Sequence, residues 1–182
     1  MRSPRPRLRW LRRMCLLLAG AAGLAGAAAL DEEQRREVLA AHNRWRAGVG
    51  VPPLVWSQAL AQSADRWAAQ LDQGGKCELS HSDAPGLGEN LYWASPVRWS
   101  TGLVTLQALR PAFVVDAWGG ESADYQPESG ACRAGRACGH YTQVVWRDTR
   151  EVGCARQVCG GVEQVWVCQY LLAGNVLGQR PF

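Results

Sequence analysis

The sequence predicts an α+β fold in which helices precede and separate short strands and a hairpin of two longer strands lies near the end of the chain. Three observations lead to this prediction. Apolar residues recur at helical spacing in three segments, two later segments alternate around a pair of glycines, and an even number of cysteines follows residue 76. We therefore expect one compact domain that is stapled by three disulfides.

The first segment has the pattern of a secretory signal peptide. Six arginines precede residue 14, and an apolar run from Met14 to Leu30 ends in Ala27-Ala28-Ala29, which resembles a cleavage site. A membrane anchor is the alternative, but the run is short for a span of about 20 residues and is built from Ala and Gly. We predict a signal peptide at 1–29, a domain at 30–182, and a secreted, extracellular protein, or a periplasmic one in a bacterium, with no stable membrane anchor.

The charge balance changes when this segment is removed. Six of the 20 Lys and Arg residues lie in it, so 14 remain against 16 Asp and Glu, and the net charge becomes −2. The basic character of the whole chain therefore belongs to the segment that directs export. We expect no nucleic-acid partner, because nothing else in the charge pattern favours one.

A first helix is predicted to begin after Asp31. Gln34 stands three residues later and completes a capping box, and Val38, His42 and Trp45 then fall on one stripe. A histidine on such a stripe is typical of a packed, hydrogen-bonded core position. The alternative is a metal ligand.

Two further helices follow. Ser57 is expected to cap the second and Gly74-Gly75 to stop it, while Pro111 suits the first turn of the third. Continuing the apolar stripe of the third helix beyond Trp118 leads to Glu121 near its end. The core stripe of the second helix consists of Leu60, Ala64, Trp67, Ala68 and Leu71.

Residues 152–158 and 162–170 alternate around Gly160-Gly161, which indicates an antiparallel hairpin. Between the second and third helices, residues 94–110 are interpreted as a surface excursion. The tryptophans expected to be exposed are Trp93 and Trp99, whereas most others lie in segments that are predicted to be core.

Six cysteines remain once Cys15 is removed with the signal peptide: Cys77, Cys132, Cys138, Cys154, Cys159 and Cys168. In an exported domain this even number predicts three disulfides, although spacing alone does not choose among the 15 possible pairings. A zinc cluster is the alternative. No Cys-x-x-Cys pair occurs, and export favours oxidation.

Several short boxes together resemble the CAP superfamily, which groups cysteine-rich secretory proteins, venom antigen 5 and pathogenesis-related protein 1. The resemblance implies a three-layer α-β-α sandwich, the CAP or SCP domain, with Cys77 paired to Cys159, Cys132 to Cys138 and Cys154 to Cys168. The boxes are Gly139-His140-Tyr141-Thr142-Gln143-Val144-Val145-Trp146, Ala41-His42-Asn43-Arg44, Leu79-Ser80-His81-Ser82, Gly88-Glu89-Asn90-Leu91 and Gly174-Asn175.

The same resemblance implies a cleft tetrad formed by His81, Glu89, Glu121 and His140, all of which are present. Two imidazoles and two carboxylates can coordinate a metal, transfer protons or neutralise one another. His81 and His140 are the expected ligands for zinc or another divalent cation, because imidazole nitrogen suits zinc, and the carboxylates can orient them. No cofactor is required by the sequence.

We expect a non-enzymatic extracellular module of the defence type, binding a sterol, a fatty acid or an extracellular protein. The apolar residues Trp99, Leu103, Leu106 and Leu109 of the excursion motivate the lipid. The alternative is a metal-assisted hydrolase, a peptidase, in which Glu89 and Glu121 are the catalytic carboxylates. The motifs Gly-x-Ser-x-Gly and His-Glu-x-x-His are absent, which favours binding over turnover.

Overall fold

A computed structural model describes residues 29–182, so the predicted signal peptide lies outside the described residues except for Ala29. A 3-10 turn at Glu121–Asp124 extends the third helix. The elements in chain order are α1 (Glu32–Gly48), β1 (Val55–Trp56), α2 (Gln58–Gln70), β2 (Asp72–Gln73), β3 (Lys76–Cys77), β4 (Gly88–Ala94), β5 (Val97–Arg98), β6 (Val104–Thr105), α3 (Pro111–Gly120), β7 (Tyr125–Gln126), β8 (Ala131–Cys132), α4 (Gly139–Val144), β9 (Glu151–Cys159) and β10 (Glu163–Leu171).

Helix α1 begins as its sequence predicts. The Asp31 side chain accepts a hydrogen bond from the Gln34 backbone N–H, and the Gln34 side chain accepts one from the Asp31 N–H, which is a complete capping box. Val38 and His42 are fully buried on one face of the helix, which confirms the core assignment of His42.

Helices α2 and α3 differ from expectation only at their ends. Ser57 occupies the N-cap position of α2 but makes no side-chain capping bond, and the helix ends at Gln70 rather than at the glycine pair. The physical reason is that β2 and β3 form a hairpin directly after it, and Gly74-Gly75 supply the positive φ angles of its turn. Helix α3 starts at Pro111 as predicted.

The main sheet has four strands in the order β1-β9-β10-β4. Strands β9 and β10 form the predicted hairpin, and β10 also pairs antiparallel with β4 over the whole length of β4. Strand β1 pairs parallel with β9. The hairpin is therefore the centre of the sheet.

Helices cover both faces of this sheet. On one face, residues of α1, α3 and α4 pack with Trp166, Cys168 and Tyr170 of β10 in the larger apolar cluster. On the other face, α2 packs on Val165 and Val167 of the same strand in a second cluster. Because side chains alternate along a strand, one hairpin serves two cores. The expected three-layer α-β-α sandwich is confirmed.

Close contact between α2 and β9 depends on one glycine. A Cβ atom at Gly153 would collide with the backbone of Ala61 and Leu60 on α2. The helix therefore lies directly on the strand, and no larger residue fits at this position.

Arg46 organises the interior behind α1. Its guanidinium is fully buried and donates hydrogen bonds to the carbonyl oxygens of Pro52, Val144, Trp146 and Thr149 at 2.7–3.0 Å. Burial lowers the pKa of Arg46 to about 10, so the group remains cationic at neutral pH. One side chain thus joins α1 to the turn before β9.

Three disulfides fasten the layers. Cys154 and Cys168 are directly opposite each other in the β9–β10 hairpin, which explains why they can pair. The other two join Cys77 to Cys159 and Cys132 to Cys138, and all three are the pairs that the resemblance implies. Over residues 29–182, none of the helices has both the length and the hydropathy of a membrane span.

Candidate metal-binding cleft

Glu89 lies on β4, and its side chain is only 7% exposed. It accepts four hydrogen bonds: from His81 Nδ1 at 2.9 Å, from the Ser82 backbone N–H at 2.9 Å, from Ser82 Oγ at 2.6 Å and from Gln169 Nε2 at 3.0 Å. Gln169 is the cross-strand partner of Glu89 on β10, so sheet pairing itself places this donor. These four hydrogen bonds fix the position of the Glu89 carboxylate.

Glu121 stands at the end of α3 and orients the second histidine. Its Oε1 accepts a hydrogen bond from His140 Nδ1 at 2.7 Å, and its Oε2 accepts from the backbone N–H groups of His140 and Tyr141 at 3.0 and 3.3 Å. The His140 ring also stacks on Trp118 of α3, with centroids 6.4 Å apart. The start of α4 is thereby fixed to the end of α3.

His81, Glu89 and His140 line one open cavity of about 220 Å³. Glu121 does not line it and contacts it only through His140. The structure therefore brings the four predicted residues together at one cleft, with three of them at its surface. The remaining lining residues are Asn90, Ala137, Gly139 and Asn175.

The hydrogen bonds define which nitrogen of each ring is available. A carboxylate only accepts, so Nδ1 of His81 and of His140 carries the proton and donates. Neither Nε2 has a hydrogen-bond partner among residues 29–182. A histidine that donates its other N–H to a carboxylate is the usual arrangement of a zinc ligand, so the donor set fits a divalent cation.

The described residues supply these two imidazoles and no larger ligand set. Over residues 29–182, no three His, Cys, Asp or Glu side chains are grouped closely enough to hold a metal ion by themselves. A cation in the cleft would have water or a ligand group completing its coordination.

Sequence reasoning did not assign roles to the residues that hold the tetrad. Ser82 and Gln169 both donate to Glu89, and Asn175 lines the cleft while accepting from Thr142 Oγ1 at 2.6 Å. Strand pairing is the signal that could have identified Gln169, because it stands opposite Glu89 once β4 and β10 are aligned.

Asn90 connects the cleft to the interior. Its Nδ2 donates to the backbone carbonyl of His140 at 3.1 Å and to the hydroxyl oxygen of Tyr170 at 3.2 Å. The Tyr170 hydroxyl is in turn 2.9 Å from His42 Nε2, and His42 Nδ1 is 2.9 Å from the Val38 carbonyl oxygen. Because that carbonyl only accepts, His42 donates through Nδ1 and accepts from Tyr170.

Burial keeps His42 neutral, against the hydrogen bond to the Val38 carbonyl, which favours the protonated ring. Burial lowers its pKa from 6.5 to about 4, and the positive charge of Arg46 acts in the same direction. Burial also raises the pKa of Tyr170, which therefore stays a hydroxyl donor. Both groups support the cleft from behind without titrating at neutral pH.

The sequence model of the cysteine-rich secretory protein family, CAP, matches residues 39–170. The chain belongs to the CAP family. The matched region extends from α1 to β10 and contains all four tetrad residues of the CAP domain. Relatives named as pathogenesis-related proteins are similar over most of the chain.

Pathogenesis-related protein PRMS of Zea mays is 39% identical over 171 residues, which cover 93% of this CAP protein and 95% of the relative. Pathogenesis-related protein 1C of Nicotiana tabacum is 39% identical over 151 residues, covering 83% of this chain and 82% of the relative. The protein is therefore a CAP protein of the pathogenesis-related 1 type.

Solved structures support the fold of the CAP domain. The structure of BmVAL-1 superposes with a TM-score of 0.70 at 24% identity, covering 84% of this chain and 83% of that one. The crystal structure of NaASP2 with Zn²⁺ superposes with a TM-score of 0.66 at 26% identity, covering 85% of this chain and 87% of that one.

Proposed function

We propose that this CAP protein is an exported, non-enzymatic binding module of the defence type, whose cleft binds a divalent cation through Nε2 of His81 and of His140. Zinc is the preferred cation, because imidazole nitrogen is one of its common ligands. The observation that carries the proposal is the pair of His–carboxylate hydrogen bonds, at 2.9 and 2.7 Å.

Three features support zinc over simple neutralisation. Each Nδ1–H is engaged by a carboxylate, each Nε2 has no hydrogen-bond partner among residues 29–182, and both rings line one cavity. The carboxylates are held by backbone and side-chain donors, which fixes the rings before a cation arrives. The similar protein NaASP2 has been crystallised with Zn²⁺.

Export and a role in defence rest on the signal-peptide pattern and on the relatives. The apolar run before Leu30 has the composition of a secretory signal, and the matched family is that of cysteine-rich secretory proteins. Three disulfides suit an oxidising extracellular environment. Relatives of similar length are named as pathogenesis-related.

Calorimetric titration of zinc into the folded mature protein tests the cation site. We expect stoichiometric binding that disappears in the His81→Ala, His140→Ala double variant. Because zinc competes with protons for imidazole, the affinity should fall as the solution is acidified.

The matched control is Glu128→Gln, which removes an exposed carboxylate outside the cleft. It should bind zinc like the parent protein. Equal binding by the parent and the double variant, or no binding by the parent, would contradict the proposal.

The surroundings of Glu89 do not favour the general-base role that the peptidase alternative gives it. A general base needs a free lone pair directed at a water, yet this carboxylate is 7% exposed and already accepts four hydrogen bonds. Glu121 likewise accepts three. Both carboxylates are better suited to positioning histidines than to proton abstraction. Zinc-dependent cleavage of a peptide library by the parent, lost in the double variant, would favour the hydrolase instead.

A lipid ligand is the proposal for the excursion at residues 94–110. This segment forms the β5–β6 hairpin, in which Trp99 is 56% and Leu103 58% exposed. Large exposed apolar residues side by side can contact a sterol or an acyl chain. Binding of a fluorescent sterol at micromolar concentration should weaken in a Trp99→Ser, Leu103→Ser variant and persist in the histidine double variant.

A further inference from the structure

A second cavity, of about 150 Å³, lies where α1, β1 and α2 meet the start of the described chain. It is bounded by α2, by the end of β1 and by the first described residues of the chain. Ala29 and Leu30 stand on one side of it, and Asp65 of α2 and Trp56 of β1 on another. Leu30 is only 5% exposed, so the start of the domain is packed into the protein.

Two residues that line this cavity each have a buried polar atom without a partner among residues 29–182. Asp65 Oδ1 and Trp56 Nε1 are buried, and neither makes a hydrogen bond with any residue in 29–182. Over the same residues Asp65 also forms no ion pair. A buried carboxylate oxygen without a partner is unfavourable, because it has lost its hydrogen bonds to water, so a donor is expected there.

The nearby side chains do not supply that donor. Arg35 lines the same cavity, but its guanidinium contacts Glu32 at 3.0 Å and the Gln58 side-chain oxygen at 3.2 Å. Arg35 is the one cationic side chain that lines the cavity among residues 29–182, so a further cation there would come from processing of the chain. Hydrolysis of the Ala29–Leu30 peptide bond by an export peptidase adds water and leaves a carboxylate on Ala29 and an amine on Leu30.

We propose that the α-ammonium group of Leu30, freed by cleavage after Ala29, occupies this cavity and pairs with Asp65. The pair locks the start of the mature chain against α2 and β1, so the exported protein becomes more stable once its signal peptide is removed. This inference rests on the proposed export, because only cleavage at this bond places an amine beside the cavity.

The first measurement is the intact mass of the secreted protein, which should correspond to residues 30–182. A different amino terminus would overturn this inference and would leave zinc binding at His81 and His140 untouched. The two proposals can therefore fail separately.

The second measurement is a double-variant cycle by thermal unfolding. One change inserts Gly-Ser between Ala29 and Leu30, which displaces the amine from the cavity, and the other is Asp65→Asn. In the parent the insertion should lower Tm by about 3 °C, which corresponds to roughly 1 kcal/mol in a domain of this size. In the Asp65→Asn background the insertion should change Tm by less than about 1 °C.

Asp83→Asn serves as the matched control, because Asp83 is exposed and lies outside this cavity. The insertion should lower Tm in the Asp83→Asn background as much as in the parent. An equal loss in the Asp65→Asn and Asp83→Asn backgrounds, or no loss in the parent, would show that the amine does not pair with Asp65 and that the cavity holds water alone.

Discussion

The three histidines of the chain divide between two environments that differ in their partners. His42 is fully buried on α1 and bonds to a backbone carbonyl and a phenol, whereas His81 and His140 line the cleft and each bonds to a carboxylate. The neutral partners stabilise His42 as an uncharged donor and acceptor. The carboxylates orient the two cleft rings through Nδ1 and leave each Nε2 without a partner among residues 29–182. The same residue type therefore serves packing in one place and ligand binding in the other.

Arg46 extends this contrast, because it lies one turn from His42 and is also buried without a carboxylate. In the interior, cation and imidazole are held by backbone oxygens. In the cleft, each imidazole is held by a carboxylate. We therefore expect His42 and Arg46 to contribute most to the stability of the fold, and the cleft histidines to contribute most to zinc binding. The following variants test this division between interior and cleft.

Arg46→Ala should have the largest effect on stability. Removing the guanidinium takes away four hydrogen bonds from a charged donor, each worth about 1.5–3 kcal/mol, so the free energy of unfolding should fall by at least about 4 kcal/mol. Urea unfolding measures the change. The control is Arg44→Ala, whose side chain is 58% exposed and pairs with Asp116 at the surface, and which should lose less than about 1 kcal/mol. Equal losses would contradict the division.

Acidification should weaken the interior through His42. Its pKa is about 4 in the folded protein against 6.5 when unfolded, so the unfolded chain binds more protons between these values. The stabilisation is complete above pH 6.5 and is lost as the pH falls, by about 3 kcal/mol in total, about half of it before pH 5. Urea unfolding from pH 7 to 5 should show this slope in the parent and a flatter one in His42→Gln. An unchanged slope in the variant would assign the effect to other groups.

Glu121→Gln should act on the cleft instead. Loss of the carboxylate that orients His140 should weaken zinc binding about tenfold or more, as removal of a hydrogen-bond partner of a metal ligand usually does. Calorimetric titration measures the affinity, with Glu128→Gln as the exposed control. Zinc affinity unchanged by Glu121→Gln would mean that this carboxylate does not orient a ligand.

Much of this division was predictable from the sequence, since local signals were strong. The capping box at Asp31, the stripe through His42 and the alternation around Gly160-Gly161 each reflect neighbours along the chain, and the structure confirms them. The end of α2 was misplaced because the β2–β3 hairpin uses Gly74-Gly75 as its turn. A glycine pair ends a helix and turns a hairpin with the same φ angles.

The partners of the tetrad were less predictable, because they come from distant parts of the chain. Gln169 contacts Glu89 only because of the register of β10 with β4. The same holds in the interior, where Arg46 bonds to the carbonyl oxygens of Val144 and Trp146, about 100 residues further along the chain. The resemblance supplied the four tetrad positions. It did not supply the donors that fix Glu89, and those depend on sheet pairing.

The smallest expected effect is on stability in His81→Ala. The side chain is 64% exposed and its one hydrogen bond is to Glu89, which keeps Ser82 and Gln169 as donors, so the free energy of unfolding should change by less than about 0.5 kcal/mol. Urea unfolding at neutral pH without zinc measures this change, and the same variant should still lose zinc affinity. A loss above about 2 kcal/mol would show that the cleft histidine also supports the fold, and the two environments would then differ in partners but not in role.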